Sequence, residues 1–372
     1  MTTLFKSPSW DFPKVLSITF FLICVSNFTN AQVGDTVYAE IAAIDQPIMY
    51  NRMGAAVPTG MIFALVSDLE SGYSVGDAHL RTSKRPRPIV LRANKGNVLI
   101  IKFHNLLSPY EAEDLVDAYN TTKPKKVTQS HAVKNYPVTR AAGIHILGTE
   151  MADDISSDAS FNGVNATSLA APNETRTYTI IAAEEGAFLL YSTGADIQVG
   201  RTNGGQLTNG LFGSLNIQPE GAEYYRSQVT EDLLAQTILR WEVPNADPTE
   251  PNKIFHNDTV EKYGIYNKKF EGAFPIIDYN ALDTQGNPIL RMYTSSPDRP
   301  HYRELIHTDL TAIITGPNAG RFPYSENSSS FNNVPASPDR RQPYREFSIH
   351  YHEAQNIVQA FPVFYNDITG GG

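Results

Sequence analysis

Cysteine is almost missing from this chain. The sequence has 372 residues and one cysteine, Cys24, which lies inside an N-terminal stretch that we expect to be removed. The mature protein is therefore predicted to contain no disulfide and no thiolate nucleophile or metal ligand. This excludes small disulfide-stapled folds and every metal centre that needs a cysteine.

An excess of basic charge is missing as well. Lysine and arginine number 30 against 39 aspartates and glutamates, which gives a formal net charge of -9. A protein that follows nucleic-acid phosphates needs the opposite balance, so a nucleic-acid partner is not expected. With 41% hydrophobic and 19% charged residues, the chain has the composition of an acidic globular protein.

The apolar run over residues 15–25 is too short to span a membrane. Lys6 and Lys14 precede it, and the small-residue site Thr29-Asn30-Ala31 follows it. This pattern is typical of a secretory signal peptide, here over residues 1–31. We therefore predict a secreted or periplasmic protein with no membrane span after cleavage; an uncleaved membrane anchor is the alternative.

Short β-branched and aromatic runs, separated by turn residues, fill the chain from Gln32 to about Pro219. They predict strands, whereas short helices are predicted at 110–117 and from Thr230. Because 98–103 is apolar except for Lys102, we expect a strand buried on both faces there. The predicted strands span 38–50, 60–66, 89–106, 175–183, 186–192 and 211–219.

The amino-acid composition changes after Trp241. Twelve of the 24 prolines lie between Pro244 and Pro343, and proline has no amide hydrogen to give to an interior ladder. Residues 220–344 are thus predicted to form a helical turn and a proline-rich connector, with one strand at 310–314. Strand signals return in the last part, 345–372, where a new sheet is expected to begin.

Several blocks in a fixed order resemble the first cupredoxin domain of multicopper oxidases. The resemblance implies an all-β fold with a cupredoxin-like Greek-key β-sandwich over 32–219, and it makes 345–372 the first strands of an incomplete second cupredoxin-like domain. The blocks are 90–98, 142–148 (AGIHILG), 171–179 (APNETRTYT), 185–192 (EGAFLLYS) and 210–215 (GLFGSL).

In that family, paired histidines alternate along strands and bind copper ions from a facing domain. His145 matches the first histidine of the family's I-H-x-H-G motif, but Leu147 stands in place of the second. Tyr191 and Thr193 stand where a Y-H-S-H motif would supply two more. The blue-copper centre also needs a cysteine, so this chain does not carry a full set of copper ligands.

Two functions remain open at this point. The first is an exported multicopper-oxidase-like protein, in which this chain is the N-terminal portion of a copper-dependent oxidoreductase. Such an enzyme would use a small-molecule reductant and dioxygen and be completed by further cupredoxin domains, with His145 as a copper ligand. The alternative is a non-catalytic cupredoxin scaffold or interaction module that binds no copper.

His350 and His352 form a second candidate metal site. They lie two apart in a predicted strand, so their side chains would share a face, with Glu353 adjacent. Copper or zinc suits such a pair when a third ligand arrives from elsewhere, and His307 is a candidate. The alternative is two solvent-facing histidines on an edge strand.

Two further clusters have a functional and a plain interpretation. Four carboxylates in one loop could bind calcium or manganese, although a solvated acidic turn fits as well; they are Glu150, Asp153, Asp154 and Asp158.

The run 72–76 (GYSVG), with His79 close by, matches a nucleophile elbow. Pro86 and Pro88 prevent the helix that this motif needs, so a hydrolase is not expected.

Overall fold

A computed structural model of the protein describes residues 35–51, 55–57, 60–109, 140–160, 166–194, 205–243, 245, 249–256, 274–316, 343–352 and 358–359. The predicted signal peptide and the predicted helix at 110–117 lie outside the described residues. The strands in chain order are β1 (Thr36–Asp45), β2 (Ile48–Met49), β3 (Ala55–Val57), β4 (Met61–Leu65), β5 (Ile89–Asn94), β6 (Val98–Asn105), β7 (His145–Ile146), β8 (Glu150–Met151), β9 (Thr175–Ile181), β10 (Gly186–Tyr191), β11 (Phe212–Gln218), β12 (Glu223–Arg226), β13 (Ile238–Val243), β14 (Lys253–His256), β15 (Phe274–Ile277), β16 (Tyr293–Ser296), β17 (Arg299–Leu305), β18 (Thr311–Thr315), β19 (Tyr344–Phe347) and β20 (Val358–Gln359).

Two short α-helices accompany these strands, α1 (Gly205–Thr208) and α2 (Glu231–Thr237). The prediction of a helix from Thr230 is confirmed, since the Thr230 side chain accepts a hydrogen bond from the Leu233 amide and Glu231 and Asp232 lie in the first turn. Short 3-10 turns occur at Val66–Asp68 and Ile155–Ser157. Among the described residues, no helix is long and apolar enough to cross a bilayer.

Two sheets form a sandwich. Sheet I has the order β16-β17-β1-β6-β9-β8, with β4 also paired to β1, and sheet II has the order β5-β11-β10-β7. Both sheets mix parallel and antiparallel pairs: β1 is parallel to β6 and to β17 in sheet I, and β5 is parallel to β11 in sheet II. The prediction of an all-β, cupredoxin-like sandwich is confirmed.

One hydrophobic core lies between the two sheets. Alternate residues of β6 supply Leu99, Ile101 and Phe103 from sheet I, while Leu91 of β5 and Leu215 of β11 come from sheet II; all five are fully buried. Because successive side chains of a strand point to opposite faces, each strand contributes every second residue.

The expectation that 98–103 is buried on both faces was wrong. In β6, Val98, Ile100 and Lys102 are only partly buried, and they alternate with the fully buried residues. The outer face of sheet I is partly open at this strand, and Lys102 uses it to pair with Glu40 at 2.8 Å. The nearly continuous apolar run in β6 therefore belongs to a strand that is buried on one face only.

The segment expected to be a connector contributes strands to the body of the protein. Strand β17 pairs in parallel with the start of β1, through Thr36 opposite Tyr302. Sheet III, of order β12-β18-β19, adds Tyr224 and Ile314 to the same core as the sandwich. Prolines lie at strand ends and in edge strands here, as in β15, where Pro275 pairs with Trp241 of β13.

Packing around Phe103 provides a test of this core. Its ring lies 6.1 Å from that of Phe63 and 6.1 Å from that of Tyr178. We expect Phe103→Ala to lower the free energy of unfolding by about 3–5 kcal/mol through lost burial and a residual cavity. Leu239→Ala, at a side chain that is 54% exposed, serves as control and should change it by less than about 0.5 kcal/mol. Urea titration measures both; equal effects would contradict this core.

Candidate functional site

The outer face of sheet II, the face turned away from the core, carries most of the candidate residues. Ile144, just before β7, and Ile146 of β7 both enter the core, so His145 between them points outward. His145 pairs with Tyr191 of β10, and Tyr191 pairs with Phe212 of β11. Cross-strand partners share one face of a sheet, so these three side chains form a row across it, here called the outer row.

His145 is held by a buried carboxylate. Its Nδ1 lies 2.7 Å from Oδ2 of Asp158, whose side chain is 7% exposed. Burial alone would raise the pKa of Asp158, but the hydrogen bonds from His145 and Ser160 outweigh it and keep the pKa below its usual range. When Nδ1 donates to the carboxylate, the neutral ring carries its lone pair on Nε2. The Tyr191 ring meets this imidazole edge-on at 5.2 Å between centroids.

The other predicted ligand positions have non-ligand environments. Leu147 is 56% exposed on the same outer face. The Thr193 hydroxyl donates a hydrogen bond of 2.6 Å to the carbonyl of Ala159, so it serves the local backbone. It stays a prediction that Leu147, Tyr191 and Thr193 replace histidines of the family. The structure shows that His145 and Tyr191 are direct neighbours across two strands.

A late stretch of the chain, here called the 343–352 segment, lies over the outer face of sheet II. Its residues alternate: the even-numbered ones, from Tyr344 to His352, are partly buried, and the odd-numbered ones are exposed. The alternation continues past the end of β19 at Phe347. The exposed side includes three large apolar residues, here called the ridge: Phe347 (65% exposed), Ile349 (61%) and Tyr351 (93%).

Arg92 anchors this segment. The Arg92 side chain is 1% exposed, and its Nε and Nη2 lie 2.9 and 2.8 Å from Oε1 of Glu346. Its Nη1 donates to the carbonyl of Asp309 at 2.8 Å. Asn216 of β11 donates to both Glu346 and Ser348 at 2.9 Å. A charge this deeply buried needs such partners, so the ion pair fixes the segment on the sheet.

His350 and His352 both contact the outer row. Their ring centroids lie 5.8 and 4.6 Å from that of Phe212, and His352 is stacked on it. Burial lowers the pKa of both histidines, and for His352 the nearby backbone of Leu207 and Thr208 opposes this shift without cancelling it. The three predicted site histidines therefore lie at two ends of one line of aromatic rings. His145 contacts Tyr191 at one end, and His350 and His352 contact Phe212 at the other.

His307 is not placed as a third ligand. Its Nε2 lies 3.0 Å from the carbonyl of Pro288, and burial lowers its pKa to about 4. In the part of the chain that the structure describes, no three histidine, cysteine or acidic side chains come together in a way that could hold a metal ion. The residues present do not fit a complete copper centre.

The acidic loop and the serine motif have local roles. Asp154 accepts hydrogen bonds from the amide and hydroxyl of Ser156, while Asp158 turns to His145, so these carboxylates do not converge. The 72–76 run forms turns, with Gly72 and Gly76 at positive φ, and His79 pairs with Asp77 at 3.0 Å. No helix follows the motif in the described residues 77–109.

The hydrogen bond between His145 and Asp158 gives a pH-dependent prediction. Because the folded-state pKa of Asp158 lies below that of an unfolded chain, the carboxylate stabilises the fold above about pH 4, and this contribution is lost as the pH falls through the folded-state value. We expect Asp158→Asn to lower the free energy of unfolding at pH 7 by about 1–3 kcal/mol. Its decline with acid should also be shallower than that of the unmodified chain.

Urea titrations over a series of pH values measure both effects. Asp153→Asn is the matched control, since Asp153 is exposed in the same loop, and it should leave the pH profile unchanged. If Asp158→Asn followed the acid decline of the unmodified chain, the buried carboxylate would not have the role assigned to it.

Comparison with known proteins gives structural similarity only. No family model matches the sequence, and no curated protein matches it. A multicopper oxidase from Pseudomonas thermotolerans has 16% identity and a TM-score of 0.27, with 50% of this chain and 30% of that chain covered. A copper nitrite reductase from Nitrosomonas europaea has 16% identity and a TM-score of 0.27, with 50% of this chain and 42% of that chain covered. A blue copper oxidase from the same organism has 12% identity and a TM-score of 0.28, with 59% of this chain and 52% of that chain covered. The chain thus spans about a third to a half of these structures, and similarity at this level assigns it neither a family nor an activity.

Proposed function

We propose that the chain is a non-catalytic, cupredoxin-like interaction module of an exported protein, and that the outer face of sheet II docks against a facing cupredoxin-like domain. The observation that carries this proposal is the ridge, in which Phe347, Ile349 and Tyr351 all point away from the sheet. Large apolar side chains grouped on a surface are typical of protein-protein interfaces.

A groove continues the same surface. It has a volume of about 490 Å³ and runs between the 343–352 segment and β10, with Leu189, Phe347 and Ile349 in its lining. Leu189 is 40% exposed, and Leu147 beside it is 56% exposed, its amide bonded to the Leu189 carbonyl at 2.9 Å. The apolar surface thus extends from the ridge to the strand of His145.

The occupant that we favour is a second copy of this chain. In the family that the sequence resembles, the face that bears the His145 position meets a facing cupredoxin domain, and the ridge and groove lie on that face. A second copy supplies such a domain and the same apolar surface, which allows a symmetric contact.

A second candidate function concerns copper. His145 is the one family ligand retained, and Asp158 holds its Nδ1 in a way that leaves Nε2 available, as carboxylates do behind metal-bound histidines. In this candidate, the chain is the N-terminal portion of a copper-dependent oxidoreductase. His145 then contributes one ligand to a centre completed by groups outside the described residues, and a bound copper would supply one-electron chemistry toward dioxygen.

Self-association tests the docking proposal. We expect sedimentation equilibrium of the signal-free chain to give a dimer at concentrations of about 10–100 μM, typical of a modest interface. The double change Phe347→Ser with Ile349→Ser should weaken the dimer by at least about tenfold, because it removes apolar surface from the contact.

Leu239→Ser is the matched control, since this exposed leucine lies on β13, which belongs to a different sheet, and it should leave the dimer intact. A chain that stays monomeric throughout that range, or a dimer that ignores the double change, would overturn the proposal.

Equilibrium dialysis against Cu(II) separates the two candidate functions. For an interaction module, we expect no stoichiometric copper binding that depends on His145, and no oxidation of a diphenol. The chain should behave as the variants His145→Ala and His79→Ala do, the latter changing an exposed histidine. One equivalent of copper that is lost only in His145→Ala would instead favour the copper-dependent candidate.

A further inference from the structure

A second cavity lies at the other end of the 343–352 segment. It has a volume of about 200 Å³, and its walls come from the region of β2 and β4, from the loop before β5 and from the start of β11. Most of the lining is apolar or aromatic, with Ile48, Tyr50, Ile62 and Phe212 among the residues. An apolar cavity of about 150 Å³ is large enough for benzene, so this one accommodates a single substituted ring.

One polar atom of the lining lacks a partner. His350 Nδ1 is a buried ring nitrogen without a hydrogen-bond partner in the structure, and the ring of His352, which also lines the cavity, has the backbone of Leu207 and Thr208 beside it. Native proteins satisfy nearly all buried polar atoms with protein, water or ligand, because an unpaired one is costly. The His350 nitrogen therefore marks where a hydrogen-bonding group would be placed.

Among the described residues of the lining, Arg87 is the one lysine, arginine or acidic residue, and it is already engaged. Arg87 Nη2 lies 3.3 Å from Oδ1 of Asp309, and Arg87 also donates to the carbonyl of Thr308. Its positive charge is thus offset by a carboxylate just outside the cavity. An anionic ligand would have to compete with Asp309, and a cationic one would face Arg87, so the lining favours a neutral molecule.

We propose that this cavity binds a small neutral aromatic molecule, one ring in size, that carries at least one hydrogen-bonding group. The ring occupies the apolar part of the cavity, and the polar group bonds to the ring nitrogen of His350, with His352 beside it. This combination of apolar walls and a few converging polar groups is the usual design of small-molecule sites. The cavity shares His350 with the lining of the groove, but the proposal does not depend on the docking proposal.

Three probes of nearly the same shape test the proposal on the unmodified chain. Benzamide is neutral with a hydrogen-bonding group, benzoate replaces that group by an anion, and isopropylbenzene replaces it by an apolar one. We expect calorimetry and ligand-observed NMR to show benzamide binding with a Kd of about 1 mM or lower, and about three- to tenfold more tightly than either of the other probes.

Variants locate the site. His352→Phe and His350→Phe keep an aromatic ring but remove the nitrogens, and at least one of them should remove the advantage of benzamide over isopropylbenzene. His301→Phe is the control, because His301 is 85% exposed and lies on β17, outside the lining of this cavity.

Three results would overturn the proposal: no binding of benzamide at millimolar concentration, which would mean that water alone fills the cavity; equal binding of benzamide and isopropylbenzene; or tighter binding of benzoate. The comparison of the three probes needs no variant, so it stands even where a histidine change unfolds the chain.

Discussion

The buried charge of Arg92 is the constraint on which the outer face of the protein depends. Arg92 belongs to β5, in the middle of the sandwich, but its partner Glu346 lies 254 residues later in the chain. A guanidinium with 1% exposure is strongly destabilising without a counter-charge, and breaking such a pair typically costs about 3–5 kcal/mol. The ion pair with Arg92 therefore fixes the position of the 343–352 segment on sheet II. The same contact positions the ridge, one wall of the groove and both cavity histidines, because all of them belong to this segment.

One face of a sheet in a two-layer sandwich is commonly left to solvent, and here the chain itself covers part of the outer face of sheet II. The segment lies over β5 and β11 and leaves β10 and β7 with their outward side chains open. His145 and its carboxylate thus lie at the edge of the covered area, where Tyr191 and Phe212 connect them to His350 and His352. The 343–352 segment therefore lies between His145, beside an open apolar surface, and the cavity that His350 and His352 line.

The sequence predicted most of the sandwich strands, because turn residues separate apolar runs of strand length from one another. The run 89–106, predicted as one strand, is two: β5 and β6 lie in different sheets, and a turn at Lys95 and Gly96 separates them. The sequence was also sufficient for the helix after Thr230, since a capping side chain and early acids are local signals. It did not reveal that β6 is buried on one face only, because Val98 and Ile100 are as apolar as the residues that enter the core. The strands hidden in the proline-rich stretch were missed for a similar reason: β17 contains Pro300 at its start, where a missing amide hydrogen is tolerated.

For the candidate site, the sequence indicated the three histidines but not their surroundings. Asp158 lies 13 residues from His145 in the chain and was interpreted as one of four acidic loop residues, since nothing local distinguishes it from Asp153 or Asp154. Arg92 was equally hidden, because the sequence around it predicts a strand and carries no sign of a partner so far away. The alternation of 343–352 was the missed signal: apolar residues at 347, 349 and 351 point one way and polar ones at 346, 348, 350 and 352 the other.

The parallel pairing of β1 with β17 affects how the protein is made. Asp35, at the entrance to β1, is bonded to His301, 266 residues further on, so one side of the first strand stays open until most of the chain has left the ribosome. Contacts of such long range slow folding and expose unpaired strand edges meanwhile. A chain that completes its sheets so late leaves those edges open to pairing with other chains until its last strands are in place.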